Sequence, residues 1–143
     1  MNLDLLRQEL IRYEGYKITV YLDTVGLPTV GIGHMDRKLI VGTLYTPKQI
    51  NDFYEQDVEN AIVTASKYVN INVLDNVRAR VIVQLAFNLG NKLGQFKKFL
   101  AAVAASDWDL ASKELQNSKW YTQVGRRGPE TCYAIVHGKY EWQ

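Results

Sequence analysis

The chain has 143 residues, 47% of them apolar, with ten glycines and three prolines. That is enough for one cored domain, or a large lobe with a small one, and too ordered a composition for a disordered chain. Net charge is +2, with ten basic against six acidic residues from 71 onwards, a mild excess too scattered for the concentrated basic face of a nucleic-acid binder. The only cysteine, Cys132, excludes an intramolecular disulfide, and its setting in Cys132-Tyr133-Ala134-Ile135 suits a small core filler.

The opening residues MNLDLLRQEL carry Asp4, Arg7 and Glu9 among their apolar positions, so neither a signal peptide nor a membrane anchor is expected there. Leu3, Leu6, Leu10 and Tyr13 recur at helical spacing, and Gly15 stands at a stop position, which predicts a helix over about 3–13 with Glu14 on its last turn. A carboxylate there meets the negative end of the helix dipole. Lys17 to Leu22 alternates with period two and reads as a strand. Asp23 to Pro28 is a turn closed at Val25-Gly26, and Thr29 to Gly33 is the return strand. This hairpin brings Asp23 and Thr29 to the same end. Gly31 and Gly33 do not make a dinucleotide loop and read as places where other chain approaches closely.

Met35 to Tyr45 is a short connection or a third strand. Thr46-Pro47 starts a helix, Thr as N-cap and Pro at the first position, with an apolar stripe from Ile50 to Ala65 predicting a helix over about 47–66. From Asn70 the pattern is helical throughout. A nearly wholly apolar segment ending at Asn88-Leu89-Gly90 is the expected buried central helix, followed by a helix around Phe96 to Val103. Ser106-x-x-Asp109 is a capping pattern before Trp108, Ala111 and Leu115. Ser118 to Tyr121 starts a short turn, Gly125 to Pro129 is a loop, and Pro129 opens a last helix ending near Gly138.

The chemistry concentrates in Glu14 and Asp23. Cleavage of a glycosidic bond needs one protonated carboxyl to donate to the leaving oxygen and one ionised carboxylate. Glu14, beside Tyr13 and Tyr16 at a helix end, suits the acid, and Asp23, in a polar turn, suits the ionised partner, with Thr29 placed to share a water with it. The bland alternative is a surface Glu and a turn-forming Asp. His34 has no companion histidine nearby for a metal site, so a structural pairing with an acid is expected. The rings of Trp108 and Trp120 read as core anchors rather than sugar platforms. Phe87 is either core or cleft lining, and Asn88 either a helix-end cap or a ligand contact.

The pair does not stand alone. Glu14, Gly15, Tyr21, Asp23, Gly26, Thr29, Gly31, Gly33 and His34 form the pattern E-G-x6-Y-x-D-x2-G-x2-T-x-G-x-G-H, which resembles that of the phage lysozymes, the endolysin family of muramidases. The likeness continues through Thr46 to Val58, Ala86 to Gly90, Trp108-Asp109, Ser118 to Tyr121 and Gly125-Arg126-Arg127. It departs at the His34–Thr46 connection, shorter than in the best-studied members, and at Gly128-Pro129-Glu130, where relatives have a more basic or Ala-rich helix start.

The resemblance implies a lysozyme-like α+β fold, mainly α. A small lobe with the hairpin, about 14–60, would be joined by a long helix to a helical lobe, about 67–143 plus the N-terminal helix 1–13, with the cleft between them. It implies hydrolysis of the β-1,4 bond between N-acetylmuramic acid and N-acetylglucosamine in peptidoglycan, with Glu14 as acid and Asp23 and Thr29 holding the attacking water. Inversion would require the carboxyls to stand roughly 6.5–9.5 Å apart. Phe87, Asn88 and Arg127 become substrate-binding candidates, Arg127 also a partner for Glu14, and Asp57 the partner of His34. No metal or cofactor is implied. The implied biology is a monomer held in the host cytoplasm until a holin-type pore releases it to the wall, with no nucleic-acid partner. Rival readings are a hydrolase of chitin-like polymers and a non-catalytic wall-binding or virion structural module.

Overall fold

A computed structural model describes all of residues 1–143. The elements run α1 (Leu3–Glu14), β1 (Lys17–Leu22), β2 (Pro28–Gly31), β3 (His34–Met35), α2 (Pro47–Tyr68), α3 (Asn76–Leu89), α4 (Lys97–Ala104), α5 (Trp108–Gln116), α6 (Lys119–Gln123) and α7 (Arg127–His137), with 3₁₀ turns at Ile71–Val73 and Gly90–Gln95. This is the expected mainly helical α+β architecture with one small antiparallel sheet, ordered β1-β2-β3. No helix is long and apolar enough to cross a membrane. By packing the chain divides into two compact units, Leu3–Asn60 and Met1–Asn2 with Ala61–Gln143. The helix α1 therefore counts with the hairpin, where the sequence reading grouped it with the later helices. The division falls inside α2.

In the unit Leu3–Asn60, Leu6, Leu10, Val20, Val30, Ile32, Ile50 and Tyr54 are buried. The sheet is irregular: Lys17 pairs with Gly31 and Tyr21 with Thr29, so β1 bulges between them. The bulged stretch turns its other edge to the segment after β3, where the Val20 N–H donates to the Thr43 carbonyl (2.9 Å) and the Tyr45 N–H to the Ile18 carbonyl (2.8 Å). The connection Met35–Tyr45 is thus mostly turn, held against β1 without a full third strand of its own. Strand β2 starts one residue earlier than expected, at Pro28, a first-residue position where the missing N–H costs nothing. Thr46 caps α2 as expected, accepting from the Gln49 N–H (3.2 Å), and the Gln49 side chain returns a bond from the Thr46 N–H (2.9 Å), a capping box.

Burial pushes the Tyr54 phenol up to about 12, the Arg7 guanidinium over its ring (5.5 Å) opposing the shift. The sign of the pH effect follows. Below about pH 10 both folded and unfolded chains keep this proton. Above it the unfolded chain releases the proton and the folded chain retains it, so stability falls as pH rises through that window. Urea unfolding midpoints should drop between about pH 10 and about pH 12, and Tyr54→Phe should flatten that drop; an equally steep fall in the variant would refute the assignment.

In the second unit α3 is buried on every side from Ala79 to Ala86, as its apolar run predicts. Helix α5 packs on α4 and α7, and α7 on α3. Arg78 fastens the end of α7. Its Nε donates to the Ile135 carbonyl (2.7 Å) and its Nη2 to the Val136 carbonyl (3.0 Å), satisfying carbonyls that a helix end leaves open. Its guanidinium lies 4.3 Å from the Trp108 ring, so Trp108 is a structural anchor. Trp120 is buried, its indole N–H donating to Asn88 Oδ1 (2.9 Å). Cys132 is buried with its thiol pushed up by burial, a core filler as expected.

Two helix starts differ from the sequence expectation. The cap of α5 is Asp107, which accepts from the Leu110 N–H (3.2 Å), because Ser106 takes up a left-handed backbone (φ 54°) in leaving α4. Helix α7 begins at Arg127, two residues after the left-handed Gly125 (φ 57°), so Pro129 falls inside its first turn, where no backbone N–H is needed.

Candidate active site

Glu14 is the last residue of α1 and is half-buried. Gly15 stops the helix with a left-handed backbone (φ 79°) while its N–H closes the last turn on the Ile11 carbonyl (2.8 Å). Gly33, also left-handed (φ 64°), lies against the Glu14 side chain. A Cβ built on it would stand 2.8 Å from Glu14 Oε2, 3.0 Å from its Cβ and 3.2 Å from its Cδ. The close approach anticipated for Gly31 and Gly33 therefore has identified partners: Gly33 meets the Glu14 carboxyl and Gly31 meets Ile50, whose Cγ2 would be 2.9 Å from an added Cβ.

Asp23 closes the turn after β1. Its Oδ1 accepts from the N–H groups of Val25 (3.0 Å) and Leu27 (2.8 Å), its own N–H donates to the Leu27 carbonyl (3.0 Å), and its carbonyl accepts from the Gly26 N–H (3.0 Å). The residue is thus the turn former of the bland reading, and that role fixes its carboxylate. Both amides go to Oδ1, which leaves Oδ2 for a ligand. Thr29 is buried, and its hydroxyl donates to the same Leu27 carbonyl (2.9 Å). Leu27 thereby ties Asp23 and Thr29 together, as the hairpin reading required. With its proton spent, the Thr29 oxygen meets any water as an acceptor.

His34 pairs with Asp57 as expected, Nδ1 to Oδ2 at 2.8 Å; a carboxylate only accepts, so Nδ1 carries the proton. The imidazole also stacks on Phe53 (4.1 Å between centroids, 6° between planes), and Phe53 meets Tyr45 edge-on at 5.4 Å. The pair pins the end of β2-β3 to α2. The sequence pattern did not single out Phe53, although it lies one helical turn before Asp57 on the same face.

Tyr21 pairs across the sheet with Thr29, so the two side chains share a face. Its phenol is pushed above the ordinary tyrosine range by burial, then by the Glu14 and Asp23 carboxylates. The sequence pattern gives Tyr21 no role beyond the motif, while the fold sets it beside Thr29 and within the influence of both carboxylates.

The three remaining candidates lie in the other unit. Phe87 and Asn88 close α3, both half-buried, the Asn88 amide oxygen taken by Trp120. Arg127 opens α7 and is buried, with Nη2 3.5 Å from the Gln84 carbonyl.

Residues 11–133 match the phage lysozyme family model, a span that contains every one of these residues. The chain belongs to the phage lysozyme family. Among curated relatives, this family member is 28% identical over 125 residues to peptidoglycan hydrolase gp36 of Pseudomonas phage phiKMV, covering 85% of this chain and 14% of that protein. It is 28% identical over 148 residues to probable T4-type lysozyme 2 of Dictyostelium discoideum, covering 84% of this chain and 87% of that one. It is 26% identical over 162 residues to the pre-baseplate central spike protein Gp5 of Enterobacteria phage T4, covering 95% and 28%. The phage lysozyme domain seen here thus spans a small part of two of these relatives and most of the third.

Proposed function

We propose that the protein is a muramidase that hydrolyses the β-1,4 bond between N-acetylmuramic acid and N-acetylglucosamine in bacterial peptidoglycan, with inversion. The observation that carries this reading is that one compact unit holds a carboxyl at a helix end, Glu14, and a carboxylate and a hydroxyl locked to one residue, Asp23 accepting from the Leu27 N–H and Thr29 donating to the Leu27 carbonyl. Family membership and the name of the phiKMV relative support peptidoglycan as the substrate.

In this mechanism Glu14 gives its proton to the glycosidic oxygen as the C1–O bond breaks. A water held by Asp23 Oδ2 and Thr29 Oγ1 attacks C1 from the opposite face, and Asp23 takes its proton. Both groups accept from the water, so its oxygen lone pair is left pointing at the sugar. Of the other candidates, Asn88 has its amide NH₂ to offer a sugar oxygen, Phe87 an aromatic face, and Arg127 a fixed, buried positive charge.

Digestion of purified peptidoglycan tests the reading. Mass spectrometry should find reducing muramic ends, and NMR should find the α-anomer first. Anhydro-muramic ends would make the enzyme a transglycosylase and remove the water-holding role of Asp23 and Thr29. Hydrolysis of chitin oligomers alone would move the substrate class, and wall binding without products would leave a non-catalytic module.

Released to the wall by a pore-forming partner, such a monomeric enzyme would lyse the host. A second reading, a particle-borne lysozyme, is favoured by the two relatives that carry the matched region inside much longer proteins, one of them a baseplate spike.

A further inference from the structure

The hydrogen-bonding inventory of the site is lopsided. Thr29 spends its proton on Leu27, and Asp23 can only accept. Glu14 must reserve its proton for the leaving oxygen in the mechanism above. A sugar held there also presents acceptor oxygens, and these need a donor.

Tyr21 supplies one. It stands beside Thr29 on the same face of the sheet, two residues before Asp23 on the same strand side, and is half-buried. The Lys17 ammonium sits over its ring, 5.4 Å from the centroid. We propose that the Tyr21 hydroxyl donates a hydrogen bond to an uncharged oxygen of the sugar bound between Glu14 and Asp23, and so sets where that sugar lies. The proposal rests on the muramidase reading and assigns a further binding residue to it. Burial and the two carboxylates keep the phenol protonated at any working pH, which is what a donor requires.

The Glu14→Gln protein is expected to bind substrate while cleaving it too slowly to disturb the measurement, so binding can be read apart from turnover. A soluble, uncleaved N-acetylglucosamine–N-acetylmuramic acid oligosaccharide should bind E14Q/Y21F about fivefold more weakly than E14Q by calorimetry, the range of one neutral hydrogen bond. Y21F alone should raise KM by the same factor with kcat within about twofold, since the bond is made in ground and transition states alike. Because Phe keeps the ring under Lys17, the fold should be retained. As a check independent of any variant, the carbon-13 resonance of Tyr21 Cζ in labelled E14Q should shift on saturation with the saccharide. Equal dissociation constants, or an unmoved Cζ resonance while the saccharide binds, overturn the Tyr21 assignment and leave the muramidase reading standing. No peptidoglycan hydrolysis by the unaltered protein overturns that reading, and this assignment with it.

Discussion

Glu14→Gln should lower the rate of peptidoglycan hydrolysis by at least about a hundredfold, the lower end of what a positioned general acid contributes. The substitution keeps the size and shape of the side chain and removes only the transferable proton. Glu14 ends α1 half-buried, with Gly33 closing against its carboxyl, so the replacement fits the same space and the fold should survive it. The loss should appear in kcat and in kcat/KM alike, because a proton donated during bond breaking helps the transition state and not the bound substrate. Turbidity clearing of purified wall and the release of reducing ends measure it. A variant hydrolysing within about threefold of the unaltered protein would strip Glu14 of the acid's role, since no acid contributing in the general-acid range is lost so cheaply.

Local signals put Glu14 at a helix end, and the family pattern singled it out. Helical spacing from Leu3, a Gly stop, a period-two strand and a turn place Glu14, Asp23 and Thr29 correctly before any coordinates, because hairpin and helix-end geometry is set within a few residues. Local signals also located the Thr46-Pro47 helix start and the buried course of α3. They did not decide between a turn-forming and a functional Asp23, and the structure shows why: the same contacts to Val25 and Leu27 serve both. The family pattern, not spacing, pointed His34 at Asp57.

What escaped the sequence depends on partners distant along the chain or on a single backbone angle. Nothing in Arg78 announces that it will seat the carbonyls of Ile135 and Val136. Ser106 and Asp107 are both good caps, and the left-handed turn at Ser106 passes the role to Asp107. Pro129 looked like a helix opener, yet a proline is equally at home in the third helical position, so the start at Arg127 was ambiguous by two residues. That shift matters for the site, because it makes Arg127 a buried helix residue and not part of an open loop. The grouping of α1 with the hairpin likewise follows from packing, which periodicity does not report.

Gly33→Ala should cost about a hundredfold in activity, in the range expected when a reacting group is displaced by about an ångström. Two separate penalties meet at this residue. The first is conformational: its φ of 64° lies in the left-handed region, where a Cβ costs about 1–2 kcal/mol. The second is steric: the new methyl would sit 2.8 Å from Glu14 Oε2, and Glu14 Cβ at 3.0 Å closes the other side, so the carboxyl has to swing away. Gly42→Ala separates the two. Gly42 is left-handed as well (φ 91°), and a Cβ there meets nothing within 4 Å, so it carries the strain without the clash. Gly33→Ala should therefore lose at least as much stability in urea as Gly42→Ala, while only Gly33→Ala loses hydrolysis. Binding of the saccharide should persist in Gly33→Ala, because the sugar contact proposed for Tyr21 stands on β1 and not on α1. Equal activity in the two alanine variants would show that the place of the Glu14 carboxyl does not govern the rate.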